Sequence, residues 1–200
     1  MEQFNNENQN PDVENVNDEV VEEAPAKNPV KEVLDWVISI AVAVILALVI
    51  RNYVFVLVKV DGQSMVPTLH HGEYLYTNRF FYTPANGDIV IFTPPNNPDV
   101  KYVKRVIATA GQTVVVDGQN HTVTVDGKVL DEPYINEAMN SAGNMEYPCT
   151  VPEGYIFVLG DNRNHSKDSR DRSVGLVPVE NVTGEATLRL WPLSEFGKID

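Results

Sequence analysis

The sequence predicts a mainly β domain behind one N-terminal transmembrane helix. Residues 33–50 form an unbroken apolar run with a single charge, Asp35, near its start. Residues beyond 53 instead show short runs rich in Val, Ile, Tyr and Thr, separated by turn signals. Two hundred residues with 43% apolar content suit one globular domain with appendages rather than two domains.

The N-terminal segment, residues 1–32, is predicted to be a disordered acidic tail. It holds nine acidic residues against two lysines, so it accounts for −7 of the net charge of −13. A segment so charged and so poor in aromatic residues cannot bury enough apolar surface to become ordered. Because no basic cluster balances these acids, a nucleic-acid partner is not expected.

The apolar run is interpreted as an uncleaved membrane anchor over residues 33–52. Eighteen helical residues span about 27 Å, close to the hydrocarbon thickness of a bilayer. Trp36 and Tyr53 flank the run as interfacial anchors. A buried helix of a soluble protein would need a larger core, and a cleaved signal peptide would have a shorter preceding tail. Lysine and arginine are nearly balanced on the two sides, so charge does not settle the orientation.

The region 53–200 is predicted to be the β-rich domain, with only short helices. Two Asp-Gly pairs, Asp117-Gly118 and Asp126-Gly127, suggest tight hairpins. The predicted strands are 53–60, 88–92, 102–107, 113–116, 122–125, 155–159 and 186–190.

Metal and cofactor chemistry is not expected. Four histidines and one cysteine, Cys149, give no zinc-ligand spacing, and Cys149 is interpreted as a packing residue. Residues 161–172 begin like a calcium loop but place arginines at ligand positions. No glycine-rich phosphate loop is present.

Ser64 is a candidate nucleophile. Gly62 permits close backbone approach and Pro67 favours an extended conformation before it, which together suit a hydroxyl fixed at the rim of a sheet. A serine hydroxyl still needs a base to take its proton.

Two bases are compatible with the residues. Lys104 lies in a predicted strand with apolar neighbours on its face, but a lysine with an ordinary pKa near 10.4 must lose solvent to become a base at neutral pH. His165 needs no such change and has Asp161 and Asp168 nearby as orienting acids. Spacing along the chain does not choose between them.

Three stretches together resemble type I signal peptidases, the membrane-anchored serine proteases that remove signal peptides from exported proteins. They are Gly62-Gln-Ser-Met-Val-Pro-Thr-Leu69, Tyr102-Val-Lys-Arg-Val-Ile107, and Gly160-Asp-Asn-Arg-Asn-His-Ser-Lys-Asp-Ser-Arg170. The resemblance runs from about residue 33 to 192 and is closest to the compact, single-anchor bacterial form.

The resemblance implies a role for each matching residue. Ser64 would be the nucleophile and Lys104 the general base, while Ser166 would hydrogen-bond the lysine amine. Asp168 and Arg170 would pair to hold their loop. The Ser64 backbone N–H would form part of the oxyanion hole.

At three places the chain departs from the family pattern. Gly62 stands where some relatives carry a side-chain hydroxyl for the oxyanion. Residues 108–112 replace a common glycine and Pro-Gly-Asp sequence, and His165 stands where asparagine is common.

The resemblance also implies the substrate and the location. Signal peptides would be cut after small residues at the first and third positions before the bond, the Ala-X-Ala pattern, in pockets for which Val60, Met65, Tyr102 and Val103 are candidates. The partners would be exported preproteins, the lipid bilayer and a nearby secretion translocon, without a cofactor. The location would be the bacterial cell membrane, with the tail cytoplasmic and the β domain outside.

Two other functions are compatible with parts of the sequence. A peptidase resembling the self-cleaving repressors would share the Ser/Lys pair, but the membrane anchor and the lack of a DNA-binding helix pair disfavour it. A non-catalytic membrane-anchored β domain would leave Ser64, Lys104 and Ser166 unexplained.

Overall fold

The computed structural model describes residues 29–49, 56–79 and 82–199. The predicted tail falls outside this range up to residue 28, as does the end of the predicted anchor, residues 50–52. The chain divides into two compact units, Met1–Val42 and Ala43–Asp200.

One long helix, α1, runs over Pro29–Val49. It begins four residues earlier than the predicted anchor, because proline suits the first position of a helix, where its missing N–H is not needed. Its mean hydropathy is 2.4, and it is the one helix in the described residues that is long and apolar enough to cross a membrane. None of its side chains is buried, which is unlike the core helix of a soluble protein.

The rest of the described chain is β structure with three short 3-10 helices, as the sequence predicts. The strands are β1 Val56–Lys59, β2 Tyr74–Asn78, β3 Ile89–Phe92, β4 Tyr102–Ala108, β5 Thr113–Asp117, β6 Thr122–Val125, β7 Lys128–Val129, β8 Cys149–Thr150, β9 Tyr155–Leu159, β10 Val177–Pro178, β11 Val182–Trp191 and β12 Gly197–Lys198. The 3-10 helices are Arg163–His165, Val179–Asn181 and Leu193–Glu195.

The strands form two antiparallel sheets within the described residues. The larger has the order β1-β2-β11-β3-β4-β9-β10, with β12 paired to β11, and the smaller has the order β7-β6-β5-β8. Strand β11 lies between β2 and β3 although it comes late in the chain. This long-range pairing places β1, which leads to Ser64, and β4, which carries Lys104, in one sheet.

The two Asp-Gly pairs have different outcomes. Asp126 and Gly127 join β6 to β7 with φ of 52° and 78°, the backbone of a type I′ turn, as predicted. The pair at 117–118 is not a two-residue turn: Asp117 ends β5, and a four-residue loop, 118–121, leads to β6. The Asp117 carboxylate accepts hydrogen bonds from the backbone N–H groups of Gln119 and Asn120, which stabilises the longer loop.

One hydrophobic cluster anchors the chain around residue 64. Met65 is 1% exposed and Leu69 is fully buried, and both pack with Val60, Leu75 and Ile91. Because buried Met65 directly follows Ser64, the serine is held at the edge of a packed core rather than on a free loop.

Candidate active site

The turn that carries Ser64 is fixed by backbone hydrogen bonds. Gly62 has a φ of 94°, a conformation that favours glycine. The Asn162 N–H donates to the Ser64 carbonyl at 3.0 Å, and the Asn162 side-chain amide donates to the Gln63 carbonyl at 3.1 Å. Asn162 therefore ties the serine turn to the 160–170 loop, a link that spacing along the chain does not reveal.

Ser64 and Lys104 meet directly. Lys104 Nζ donates hydrogen bonds to Ser64 Oγ at 2.7 Å and to the Val103 carbonyl at 2.8 Å. The lysine is 3% exposed, and its amine lies 5.2 Å from the centre of the Tyr102 ring. Strand β4 thus holds a nearly water-free amine against the serine hydroxyl.

Burial changes the protonation of this amine. Loss of solvent lowers the pKa of Lys104 to about 8, while the charges of Asp168 and Asp161 act in the opposite direction. A substantial fraction of Lys104 is therefore neutral near physiological pH, as a general base must be.

This value predicts a pH dependence. As the pH falls below 8, an increasing fraction of Lys104 is protonated and cannot take a proton, so kcat/KM should rise by up to about tenfold per pH unit toward pH 8 and then level off. Cleavage of a peptide without titrating side chains, measured from pH 5 to 10, checks this. A single inflection near 6.5, the ordinary value for histidine, would contradict a lysine base.

The acids that could orient His165 are engaged elsewhere. Asp161 accepts hydrogen bonds from Arg105 Nε and Nη2 at 3.0 and 2.8 Å, and from Thr68 Oγ1 at 2.6 Å. Asp168 pairs with Arg170 through two bonds of 2.8 Å. His165 is exposed, so this geometry offers no Ser-His-Asp arrangement among the described residues.

The hydrogen bond expected between Ser166 and the lysine is not formed. The Ser166 hydroxyl is buried without a hydrogen-bond partner, and the second bond of the Lys104 amine goes to the Val103 carbonyl instead.

Gly160 lies in close contact with both the serine turn and Ser166. A Cβ at this position would lie 2.2 Å from Ser166 Oγ and 2.5 Å from the Ser64 carbonyl oxygen. The Gly160 N–H donates to Asp168 at 3.0 Å, so the glycine cannot move away without breaking that bond. Only glycine fits between the serine turn and the 166–170 segment.

Gly160→Ala is therefore expected to displace Ser64 and lower kcat/KM by about 100-fold, since misplacement by about 1 Å is enough for such a loss. Gly154→Ala is the matched control, because a Cβ there meets nothing within 4 Å, although its φ of 79° adds some strain. Peptide cleavage and thermal unfolding of both variants measure the effect. Equal activity of the two variants would contradict this role for Gly160.

Two buried ion pairs that support the site are not evident from the sequence. Arg105, predicted only as a strand residue, packs its guanidinium 4.0 Å from the Tyr134 ring while it pairs with Asp161. Arg163 and Glu132 form a second bidentate pair, at 2.9 and 2.7 Å. Alternation along β4 places an arginine opposite the lysine face, but it does not identify the partner of that arginine.

A cleft of about 650 Å³ lies beside Ser64 and Lys104. Ser64 and Lys104 lie in its wall together with the four residues expected to form substrate pockets, Val60, Met65, Tyr102 and Val103. The outer strand of the larger sheet, β1, lines the same cleft.

One group of possible metal ligands occurs among the described residues: His70, Glu73 and Glu195. Arg189 already pairs with both carboxylates, at 2.9 Å to Glu73 and 2.7 Å to Glu195. One of the two negative charges of this group is thus offset within the protein.

A serine hydroxyl held against a buried lysine amine, at the wall of a cleft in a β domain, is the arrangement of a serine hydrolase with a lysine base. Comparisons with known proteins indicate the same class of enzyme. A model of the family "Signal peptidase, peptidase S26" matches residues 33–191. The chain therefore belongs to the signal peptidase family, peptidase S26.

Individual relatives cover most of the chain. "Signal peptidase I S" of Bacillus subtilis (strain 168) is 37% identical over 84% of this chain and 94% of its own length. "Signal peptidase I" of Bacillus licheniformis is 38% identical over 89% of this chain and 99% of its own. A crystal structure of a signal peptidase I from Enterococcus faecalis V583 is 34% identical, covers 53% of this chain and 98% of its own, and has a TM-score of 0.45.

Proposed function

We propose that this protein is a type I signal peptidase that removes signal peptides from exported preproteins, with Ser64 as nucleophile and Lys104 as general base. The observation that carries the assignment of residues is the 2.7 Å contact between Lys104 Nζ and Ser64 Oγ, made by an amine that is 3% exposed. Family membership supports the reaction and the substrate class.

Acylation begins with the neutral form of Lys104. The Ser64 hydroxyl attacks the carbonyl of the scissile bond as its proton passes to the lysine amine, and the oxygen of the tetrahedral intermediate becomes negatively charged. The Ser64 backbone N–H is the donor proposed for this oxyanion, with Gly62 leaving room for the substrate backbone. The lysine ammonium then gives its proton to the leaving amine, which releases the mature protein.

Deacylation repeats these steps with water. Lys104, neutral again, takes a proton from a water molecule that attacks the acyl ester on Ser64. Collapse of the second tetrahedral intermediate breaks the ester bond and returns the proton to Ser64. The signal peptide leaves with a new carboxylate.

The substrate is proposed to bind as an added strand along β1. This strand is the last in the order of the larger sheet, so one edge pairs with β2 and the other faces the cleft. Because side chains alternate along a strand, the first and third residues before the scissile bond would point to the same side. Val60, Met65, Tyr102 and Val103 are proposed to line the shallow pockets there.

The surrounding loop positions the pair without taking part in the chemistry. Asp168 accepts the Gly160 N–H and pairs with Arg170, which in turn donates to the Arg163 carbonyl at 2.6 Å. Ser166 lies in this loop with a hydroxyl free to bond a displaced lysine amine or substrate.

The domain arrangement is proposed to be that of the sequence interpretation, with the anchor beginning at Pro29, where the helix begins. Residues before it are proposed to be a cytoplasmic acidic tail, and residues from 53 onward an extracytoplasmic domain beside the bilayer and the translocon. Digestion of intact spheroplasts by an added protease tests the orientation. If the β domain is protected from the protease in intact spheroplasts, the proposed orientation is wrong.

The function itself is tested with the full chain in detergent. Purified protein should convert a preprotein with an Ala-X-Ala site to its mature form, with a new N-terminus directly after the second alanine. Uncut preprotein under conditions where the enzyme is folded would overturn the proposal.

A further inference from the structure

Exposed lysines surround the candidate active-site cleft. Lys59 at the end of β1, Lys101 before β4 and Lys167 in the 160–170 loop all line it, and all are exposed. They come from three separate segments of the chain. We call these three residues the rim lysines.

Negative charge is scarce at the same place. Asp61 is the one acidic residue among the described residues that line the cleft. Its carboxylate lies 3.2 Å from His71 Nδ1, and its side chain is 93% exposed, so it points to solvent rather than to the rim lysines. The chain carries a net charge of −13, yet this cleft is locally positive.

Two of the rim lysines have defined surroundings. Lys101 Nζ donates to Thr183 Oγ1 at 2.7 Å, and Lys59 Nζ lies 5.9 Å from the centre of the Tyr74 ring. Burial lowers the pKa of Lys101, and repulsion from Arg79 lowers it further, which indicates another positive charge close by. These contacts restrict two long side chains to the border of the cleft.

An extended substrate presents alternate side chains to this border. If the first and third residues before the scissile bond enter the pockets, the second and fourth point the other way, toward the rim and solvent. Lys101 precedes Lys104 by three residues, about 10 Å along a strand, so it lies within a few substrate residues of the reacting bond.

We propose that the rim lysines determine substrate specificity, favouring signal peptides with an acidic residue at a rim-facing position beside the cleavage site and disfavouring a basic one. The inference rests on the proposed function, since it concerns the substrate of that same site. The positive electrostatic potential of the rim lysines would act on the rate at which the substrate associates and on its orientation in the cleft. This effect weakens as the salt concentration increases.

The test uses three peptides that differ only at the second position before the bond, which is Glu, Gln or Lys, with alanine at the first and third. The full-length enzyme is expected to cleave the Glu peptide with a kcat/KM about tenfold above that of the Lys peptide, because each exposed contact contributes up to about fivefold and several lysines act together. The ratio should fall toward one when ionic strength is raised to about 1 M.

Variants assign the effect to these side chains. The triple variant Lys59→Gln, Lys101→Gln, Lys167→Gln should bring the Glu to Lys ratio to about twofold or less. Lys128→Gln, the same change on an exposed residue of β7 outside the cleft, should keep the wild-type ratio.

Each outcome separates this inference from the proposed function. Suppose that the wild-type enzyme cleaves the Gln peptide but cleaves the Glu and Lys peptides with equal kcat/KM, or prefers the Lys peptide. The proposed specificity is then wrong, and the peptidase function still stands. An unchanged ratio in the triple variant overturns the assignment to the rim lysines. Failure of wild type to cleave any of the three peptides would overturn both.

Discussion

Replacement of Ser64 by alanine is expected to lower preprotein cleavage by about 10⁴-fold or more. The change removes one oxygen, which hydrogen-bonds to Lys104 at 2.7 Å, and leaves Met65 and Leu69 to hold the turn in place. No other hydroxyl hydrogen-bonds to the Lys104 amine among the described residues. The loss should therefore appear in kcat rather than in substrate binding.

A matched control separates chemistry from folding. Ser194→Ala makes the same change at an exposed serine in the Leu193–Glu195 helix and should leave cleavage unaffected. Circular dichroism and thermal unfolding of Ser64→Ala should match wild type closely. Processing by Ser64→Ala at more than about 1% of the wild-type rate would exclude it as the nucleophile.

Much of the fold follows from local patterns in the sequence. Strands β3, β4, β5, β6 and β9 coincide with predicted runs within about one residue, because alternating β-branched residues bounded by turn residues define them. The Asp126-Gly127 turn was equally predictable, since two consecutive residues with positive φ need this kind of pair.

Other strands depend on pairing that no local pattern reveals. The strand β2, Tyr74–Asn78, is missing from the prediction because a polar residue, Thr77, takes a buried position while tyrosines stand on the other face. It is stabilised between β1 and β11. Strands β7, β8, β10 and β12 each have only two residues, too few for any periodicity.

In the candidate site, too, some features follow from the local sequence and others depend on long-range contacts. The residue types pointed to Ser64 as nucleophile and left two bases open, and the resemblance favoured Lys104. The hydrogen bond between Lys104 and Ser64 joins residues 40 apart in the chain, and the ion pair between Arg105 and Asp161 joins residues 56 apart. Such contacts follow from the sheet order rather than from spacing. The bond from Lys104 to the Val103 carbonyl, in place of Ser166, was likewise set by geometry.

Replacement of Lys104 by methionine is expected to lower kcat by about 10³-fold or more, whereas His165→Gln should retain activity within about tenfold. Methionine fills most of the space of the buried lysine chain, so the loss would report the missing amine rather than a cavity. His165 is an exposed residue of the cleft wall, and its replacement should change substrate binding more than chemistry.

The shape of the pH profile distinguishes the two bases more sharply than activity alone. If Lys104 is the base, His165→Gln should keep the rise toward about pH 8, because burial and the charges of Asp168 and Asp161, not a charge on His165, shift the pKa of Lys104. Lys104→Met should lose the inflection near pH 8 and the plateau above it, because any residual activity would depend on hydroxide and would rise across the whole pH range. A Lys104→Met enzyme that retains activity, together with an inactive His165→Gln enzyme, would instead require a Ser-His mechanism. The serine hydroxyl would then have to turn from the buried amine toward solvent and lose its 2.7 Å hydrogen bond from Lys104.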